Sequence, residues 1–411
     1  MSRPVIAIVG AGASGLCAAI EAARTAKGRA EIVLFESLTR CGKKILVTGN
    51  GRCNLSNTDT DFAHYHGDVQ LAESVFAQYP PQSALDFFRE LGLFLRADGA
   101  GRIYPLSNQA AAVLDALRFE VQRLGVEIQT QTPVQTIEKN GSGYLLNSRF
   151  RADRVILACG GKAAPVHGSD GSGYELLHRL YVQTTPVYPA LTPLIIEQFP
   201  KALKGIRAEG SITVKSQGKV LARSEGEIQY TDYGLSGIPA MQVSGAVAVF
   251  MGENPKTPCC VYLDRAPAVS AEELTEYILR QKKERPGLLC EDLLTGIMPK
   301  RLGVTVLTEV SVQPQKTLNA LNAGAVNALV ANIKSKKYKV SSVCSFAEAQ
   351  VTAGGVPASE IHMQTLELRN AEHVYVCGEI VNIHGDCGGY NLLWAWNSGR
   401  LAGHSAVKGC L

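Results

Sequence analysis

Three glycines near the start of the chain have the spacing of a phosphate-binding turn. Gly10, Gly12 and Gly15 follow the apolar run Val5–Val9 in the pattern G-x-G-x-x-G. In such a turn the first glycine permits a tight bend, the second lets a pyrophosphate approach bare backbone, and the third allows close packing of helix and strand. The phosphate charge would lie at the N-terminus of the following helix, where N–H groups and the helix dipole stabilise an anion.

A carboxylate follows this turn at the distance expected for a ribose ligand. The Ala-rich helical run Leu16–Lys27 leads into the apolar strand Glu31–Glu36, which ends in an acid. An acid about 20 residues past the last glycine binds ribose hydroxyls in dinucleotide folds. The order of strand, turn, helix, strand and acid therefore predicts a Rossmann-like dinucleotide site. A glycine-rich turn without a ligand is the alternative.

The C-terminal region repeats the pattern of an apolar strand followed by glycines. The segment Val374–Asn391 contains Gly378 with Glu379, then Gly388 with Gly389, and it leads into an apolar, Trp-bearing run. A helix that begins at Tyr390 would direct its N-terminal dipole at a bound ring and stabilise an anion there. We therefore expect one nucleotide domain whose two halves are separated by an insertion.

A third glycine-rich segment, Thr48–Asn54 (TGNGRCN), combines two glycines with three polar side chains. Its backbone could approach a flat ring while Asn50, Arg52 and Asn54 supply hydrogen bonds. A rigid turn that only braces the fold is the alternative. We interpret Cys53 as a small buried apolar residue, because a buried thiol is seldom a redox centre.

Changes in sequence pattern along the chain predict four segments. Residues 1–188 form the first part of the nucleotide domain, and short strands with turns predict a small antiparallel β-barrel over 189–265. Helical periodicity predicts a helical subdomain over 266–336, and residues 337–411 hold a return strand and the second part of the nucleotide domain. The basic run Lys334–Lys339 is interpreted as a solvated turn.

The composition is that of an ordinary globular protein, with 46% hydrophobic residues among 411. Eleven cysteines without a C-x-x-C pair favour reduced thiols and a cytoplasmic location. No signal peptide and no membrane segment are expected. A formal net charge of +4 is too small to indicate a nucleic-acid partner.

The histidines do not have the spacing of metal ligands. His64 and His66 are close in sequence, but no Cys or acid is expected to converge on them, so no metal site is predicted. The chain also has no nucleophile-elbow motif. The chemistry must therefore come from an organic cofactor, with the protein supplying orientation and a proton.

The chain resembles, along nearly its whole length, the bacterial BaiN-like (YhiN-like) flavoproteins, also called aminoacetone oxidase family FAD-binding enzymes. TGNGRCN and GGYNLLWAW are the most specific of the matching motifs. The matching segments are GAGASG (10–15), CGKKILVTGNGRCNLSN (41–57), ACGG (158–161), PALTPL (189–194), QVTAGGV (350–356) and CGGYNLLWAWNSGRLAG (387–403).

The resemblance implies an α/β fold with a split Rossmann-like FAD-binding domain, interrupted by a small antiparallel β-barrel and a helical subdomain. FAD is the implied cofactor, and NAD(P)H would dock transiently as electron donor without a Rossmann domain of its own. The implied cofactor-binding residues are Gly10, Gly12, Ala13, Ser14, Gly15, Glu36, Lys44, Gly49, Gly51, Arg52, Gly160, Gly378, Glu379, Gly388, Gly389, Asn391 and Leu392.

The chain departs from the commoner pattern of the family in two places. Tyr230, Asp232 and Ile238 differ from the usual FTHxGxSGP segment, and Asn382 stands where an acid usually follows the C-terminal strand. Asp232, Tyr233 and Cys387 resemble a clostridial branch that includes bile-acid-associated members. These departures affect the substrate and leave the expected cofactor unchanged.

Three functions remain open from the sequence. The first is NAD(P)H-driven reduction of a C=C bond conjugated to a ketone, in a steroid or bile-acid-like 3-oxo enone. The second is a flavin oxidase of a small amine such as aminoacetone, and the third is a non-redox, flavin-stabilised or RNA-linked role. For the first function, Arg52, Tyr233 and Tyr390 are the candidate proton donors, since each lies in a glycine-flanked loop. The expected partner is a small-molecule substrate, with the oligomeric state left open.

Overall fold

The computed structural model describes residues 3–411, which form two compact units. The first unit holds the chain up to Tyr188 together with Gln350–Leu411, and the second holds Pro189–Ala349. The second unit is therefore an insertion into the first. It extends past residue 336, where the sequence placed the end of the inserted segments.

The strands of the first half of the chain are β1 (Val5–Val9), β2 (Glu31–Phe35), β3 (Ser56–Asn57), β4 (Tyr65–Gly67), β5 (Leu95–Ala97), β6 (Arg102–Pro105), β7 (Glu127–Gln129), β8 (Ile137–Asn140), β9 (Gly143–Leu146), β10 (Phe150–Ala152), β11 (Arg154–Leu157), β12 (Tyr188–Ala190) and β13 (Leu194–Ile196). Those that follow are β14 (Arg207–Ser216), β15 (Lys219–Tyr230), β16 (Gly234–Gly237), β17 (Cys260–Asp264), β18 (Lys336–Val343), β19 (Val351–Ala353), β20 (Ile361–His362), β21 (Glu367–Leu368), β22 (Val374–Val376) and β23 (Ile383–Gly385). The α-helices are α1 (Ala13–Ala26), α2 (Val69–Gln78), α3 (Pro81–Glu90), α4 (Ala110–Arg123), α5 (Ser172–Arg179), α6 (Ile238–Glu253), α7 (Ala271–Glu284), α8 (Lys300–Glu309), α9 (Ala323–Ser335) and α10 (Tyr390–Lys408).

A seven-stranded sheet forms the centre of the first unit, in the order β20-β21-β22-β11-β1-β2-β7. The strands from β22 to β7 are parallel, and β20 and β21 add an antiparallel edge. Val9, Leu157 and Val376 are aligned at the carboxyl ends of β1, β11 and β22. The glycine segments that follow these strands therefore lie along one edge of the sheet, where α/β folds bind ligands.

Two helices with small residues at their interface cover this sheet. A Cβ atom at Gly399 or Gly403 of α10 would collide with the backbone of Ser14 or Ala18 in α1. The two helices therefore meet at backbone contact, which only glycine allows at these positions. This close packing joins the N-terminal glycine turn to the C-terminal helix in one rigid core.

The second unit contains a closed antiparallel barrel in the order β13-β16-β15-β14-β17-β18. The helices α7, α8 and α9 lie between β17 and β18 in sequence, and Ser270 begins α7 with a capping box that includes Glu273. The expected split α/β fold with a barrel and a helical insertion is confirmed.

The strand β18 corrects the interpretation of residues 334–339 as a solvated turn. Lys336–Val343 forms this strand, which pairs with both β17 and β13 and closes the barrel. Tyr338 and Val340 are buried and alternate with exposed residues, a period-2 pattern typical of a strand. The high local charge masked that alternation in the sequence.

A buried charge network joins the barrel to its helices. The Arg265 side chain is fully buried, and its Nη1 donates to Glu309 Oε2 at 2.8 Å and to Asn332 Oδ1 at 2.7 Å. Its Nη2 donates to the Tyr338 hydroxyl at 2.6 Å, which in turn donates to Glu309 Oε1 at 2.7 Å. Burial favours the neutral acid, but the bonds and charge of Arg265 outweigh it and hold the pKa of Glu309 below its usual range.

Glu309→Gln is expected to lower the free energy of unfolding of the barrel unit by about 3 kcal/mol, because it leaves a buried guanidinium without its counterion. A carboxyl group whose pKa is lowered in the folded state stabilises the fold above its unfolded pKa, and this contribution is lost as pH falls through the folded pKa. The difference in unfolding free energy between Glu309→Gln and wild type should therefore become smaller at acid pH. Urea unfolding at a series of pH values measures it, with Glu276→Gln on the exposed face of α7 as control. Equal stability of the two variants would contradict the prediction.

Candidate functional site

The glycine turn after β1 has the geometry that a bound pyrophosphate requires. Gly10 has a φ of +103°, in the region that favours glycine, and a Cβ at Gly15 would collide with the Gly10 carbonyl. A Cβ at Gly12 would meet no atom within 4 Å, so this position faces open space. Gly12 is also the N-cap of α1, whose first turn contains no acid and no side-chain cap. The N-terminal amides of α1 are thus available to an anion.

The acid at the end of the second strand is buried against this turn. Glu36 Oε2 accepts a hydrogen bond from the Ala11 amide at 3.1 Å, and Oε1 accepts from the Leu38 amide at 2.8 Å and from Ser37 Oγ at 3.3 Å. A carboxylate has about four acceptor positions, so one remains for a further donor such as a ribose hydroxyl. The contact of Glu36 with a ribose stays a prediction.

Lys44 and Glu379, which are distant in sequence, form an ion pair near the same edge. Lys44 Nζ lies 2.7 Å from Glu379 Oε2 and donates to the Ala163 carbonyl at 3.1 Å. Glu379 Oε1 accepts from the backbone amide and the hydroxyl of Thr352, at 3.1 and 2.9 Å. Lys44 and Glu379 are both among the predicted cofactor-binding residues. The structure adds the buried Thr352, whose two hydrogen bonds orient Glu379.

The segment that directly follows the loop Thr48–Asn54 contacts the N-terminal half of α10 and the turn before it. Asn57 Nδ2, just beyond the loop, donates to the Gly388 carbonyl at 3.0 Å, and Trp396 Nε1 donates to the Leu55 carbonyl at 3.1 Å. The Asn391 side chain stabilises the turn before the helix by two hydrogen bonds. It accepts from the Gly385 amide at 2.8 Å and donates to the Gly385 carbonyl at 2.7 Å. The two most specific motifs of the sequence therefore converge in space.

Within the loop, three consecutive residues have left-handed backbone angles and one buried polar atom has no hydrogen-bond partner. Gly49, Asn50 and Gly51 have left-handed φ values of +55°, +56° and +79°. Arg52 Nε donates to the Gly49 carbonyl at 3.3 Å, and its guanidinium lies 4.7 Å from the centre of the Tyr104 ring. Asn54 Oδ1 is buried without a hydrogen-bond partner. A ligand with donor groups would satisfy this atom.

The other predicted cofactor residues lie on the same elements. Ala13 and Ser14 form the first turn of α1, and Leu392 lies in the first turn of α10. Gly160 has a φ of +74° and lies against the buried Ser169, whose Oγ has no hydrogen-bond partner. Gly378 begins a short turn after β22 and packs against Ser14.

The candidate proton donors are divided between the two units. Arg52 and Tyr390 belong to the first unit, whereas Tyr233 lies between β15 and β16 of the barrel unit. Tyr233 is 40% exposed, and burial together with Cys344 raises its pKa. The phenol of Tyr390 is buried, and desolvation with the charges of Asp59, Asp386 and Asp61 raises its pKa to about 12.

The structure overturns the expectation that His64 and His66 have no acidic partner. His64 Nδ1 lies 2.9 Å from Asp386 Oδ2, and His66 Nε2 lies 2.8 Å from Asp386 Oδ1. Pairing of β4 with β23 brings these residues together, which sequence proximity does not reveal. Among residues 3–411 no group of His, Cys, Asp and Glu is arranged to hold a metal ion.

The thiols have the properties of buried structural residues. No disulfide joins the cysteines of residues 3–411. Burial raises the pKa of Cys53 to about 12, in spite of a hydrogen bond with Thr48 that lowers it. Burial also raises the pKa of Cys387 to about 12, so neither group is a thiolate at neutral pH.

Cys53→Ser and Cys387→Ser are each expected to retain the flavin and to be reduced at the wild-type rate by an artificial electron donor, because protonated thiols do not carry electrons. The absorbance spectrum of the purified variants and stopped-flow reduction measure this. A variant that binds the flavin normally but has lost all turnover would identify a redox cysteine.

The fold and this edge together define a Rossmann-like nucleotide-binding protein. The chain belongs to the family described as HI0933-like protein Rossmann domain, which matches residues 4–405. The resemblance seen in the sequence is thereby confirmed. No helix within residues 3–411 is both long and apolar enough to cross a membrane.

Known proteins are similar to the chain over its whole length. It is 40% identical over 408 residues to the 3-dehydro-bile acid delta(4,6)-reductase of Clostridium scindens, covering 98% of this chain and 99% of that protein. It is 25% identical to the ribosomal RNA dihydrouridine synthase of Escherichia coli, covering 97% and 96%. The 3-ketosteroid delta1-dehydrogenase of Sterolibacterium denitrificans has the same fold, with a TM-score of 0.51, 13% identity and coverage of 98% and 99%.

Proposed function

We propose that the protein is an FAD-dependent oxidoreductase that uses NAD(P)H to reduce a C=C bond conjugated to a ketone, in a steroid or bile-acid-like 3-oxo enone. The observation that carries this proposal is the 40% identity to a bile-acid reductase over 98% of the chain. The glycine edge of the sheet supports a dinucleotide cofactor independently of that similarity.

The described residues fit FAD. The open face at Gly12 and the uncapped N-terminus of α1 would receive the pyrophosphate, and Glu36 would receive the adenosine ribose. The loop Thr48–Asn54, with the orphaned Asn54 Oδ1, and the N-terminus of α10 would border the ring system. When bound, FAD supplies the hydride transfer, which no side chain can perform.

The protein's own contribution is to polarise the ketone and to supply a proton. Addition of hydride to an enone places negative charge on the ketone oxygen, and the neighbouring carbon must then be protonated. Tyr390 remains a protonated phenol at neutral pH, because its pKa is raised to about 12. The guanidinium of Arg52 carries N–H donors that could stabilise the oxygen. Tyr233, in the barrel unit, is the third candidate.

A second candidate substrate is a pyrimidine of RNA, because the similar protein from Escherichia coli is named a ribosomal RNA dihydrouridine synthase. Dihydrouridine is uridine with its carbonyl-conjugated C=C bond saturated, so the bond type is the same. We favour a small molecule and no nucleic-acid partner, because the identity to the bile-acid reductase is higher and the net charge is only +4.

Two measurements on the purified protein test the cofactor and the donor. Heat should release FAD rather than FMN, because only FAD carries the adenosine ribose that Glu36 would bind. Anaerobic addition of NADH or NADPH should bleach the bound flavin, and the faster nucleotide is the donor. Release of FMN alone, or a flavin that neither nucleotide reduces, would contradict the proposal.

A further inference from the structure

The ring of Tyr390 is stacked on a histidine whose two nitrogens are both hydrogen-bonded. The His64 and Tyr390 ring centres are 4.4 Å apart, with an angle of 21° between the planes. His64 Nδ1 lies 2.9 Å from Asp386 Oδ2, and Nε2 lies 3.0 Å from Asp59 Oδ2. On another side, the ring of Tyr65 contacts Tyr390 edge-on, with centres 5.8 Å apart.

This arrangement determines the charge of His64. Ionised carboxylates only accept hydrogen bonds, so a ring between two of them must donate from both nitrogens and is an imidazolium. Burial opposes this charge, but the bonds and charges of Asp386 and Asp59 outweigh it and raise the pKa of His64 above 6.5. Burial also opposes ionisation of Asp386, but His66 and His64 outweigh it and lower the pKa of Asp386.

The neighbouring histidines and acids do not place a positive charge against the Tyr390 ring. His66 donates to the other oxygen of Asp386 and does not stack on Tyr390. His384 is buried beside His66, and burial lowers its pKa to about 4, so it stays neutral. Asp61 adds a further negative charge near Tyr390. His64 is therefore the cation in direct contact with the Tyr390 ring.

We propose that His64 is a positioning residue for Tyr390: a protonated imidazole, clamped between Asp59 and Asp386, that fixes the plane of the phenol for proton donation. This inference rests on the proposed function, since it assigns Tyr390 a role in that reaction. The clamp requires the proton, because a neutral imidazole can donate to only one of the two carboxylates.

The pH dependence follows from the clamp. Below the folded pKa of His64 both carboxylates hold the ring, and above it one hydrogen bond is lost and the ring can rotate away from Tyr390. Proton donation by Tyr390 should therefore fall as pH rises through the pKa of His64. The charged groups facing this ring are Asp59 and Asp386, with His66 and Asp61 next to them.

The test compares His64→Gln with His178→Gln, which makes the same change at an exposed histidine on α5. In anaerobic stopped-flow, His64→Gln should slow re-oxidation of the reduced flavin by an enone roughly 10- to 100-fold, the scale of a misplaced reacting group. Reduction by NAD(P)H should be unchanged, and the alkaline fall in the wild-type pH profile should disappear. His178→Gln should behave as wild type.

A second readout does not depend on activity. Proton NMR of the purified protein, with His64→Gln used to assign the signal, should give His64 a pKa above 6.5. Asp59→Asn, at a side chain that is 61% exposed, should lower that pKa and reproduce part of the kinetic defect.

The outcomes separate the two claims. If no enone re-oxidises wild-type protein, the proposed function fails, while a raised His64 pKa that falls in Asp59→Asn still supports the clamp. A normal His64 pKa would overturn the clamp. Wild-type re-oxidation by His64→Gln, or equal slowing of both half-reactions, would overturn the positioning role.

Discussion

Gly12→Val is expected to yield protein without bound flavin, because the new side chain would occupy the open space that faces the N-terminus of α1. Loss of two charge-assisted hydrogen bonds to phosphate, at about 1.5 kcal/mol each, corresponds to roughly 100-fold or more in affinity. The ratio of flavin to protein absorbance after purification, followed by titration of the stripped protein with FAD, measures the effect.

Gly99→Val is the matched control. Gly99 also has open space around its Cβ position, but it lies in the exposed loop between β5 and β6. Both variants place the new Cβ atom without an atomic collision, so both are expected to fold. A yellow Gly12→Val protein with wild-type affinity would show that the pyrophosphate does not approach this glycine.

Tyr390→Phe is expected to keep NAD(P)H-driven reduction of the flavin and to slow re-oxidation by an enone roughly 100-fold or more, the scale of a lost general acid. The substitution keeps the ring that stacks on His64 and removes only the hydroxyl. Separate stopped-flow measurements of the two half-reactions test this. Tyr233→Phe should have a similar effect if the barrel unit supplies the donor instead.

Tyr181→Phe, at a tyrosine that is 86% exposed, controls for the loss of a phenol in general. Wild-type rates in both Tyr390→Phe and Tyr233→Phe would leave Arg52 as the remaining candidate. If oxygen also outcompetes every enone, the flavin oxidase hypothesis replaces the reductase.

The nucleotide half of the fold could be predicted because its determinants are local. Gly10, Gly12 and Gly15 meet a backbone requirement that can be recognised within one short segment. In the structure Gly10 and Gly15 have no room for a Cβ atom, whereas Gly12 faces open space. The capping box of Ser270 and Glu273 at the start of α7 is likewise a local pattern of neighbouring residues. Helix α10 begins at Tyr390, as predicted, and runs to Lys408, with Gly399 and Gly403 packed against α1.

The features that the sequence did not reveal depend on contacts between distant residues. His64 and Asp386 are 322 positions apart, and only the pairing of β4 with β23 brings them together. The strand β18 was missed because three lysines in its first half hid the alternation of Tyr338 and Val340. Thr352 gave no signal, since a threonine in an apolar segment is typical of a strand.

The most direct test of the central claim is re-oxidation of the NAD(P)H-reduced protein under anaerobic conditions by a panel of acceptors. The panel contains 3-oxo bile-acid enones, simple cyclic enones, aminoacetone and ribosomal RNA, and the flavin absorbance is followed. We predict that bile-acid-like enones restore the yellow colour rapidly and are converted to the saturated ketone. A flavin that stays bleached with every enone but recovers with RNA or only with oxygen would contradict the proposed function.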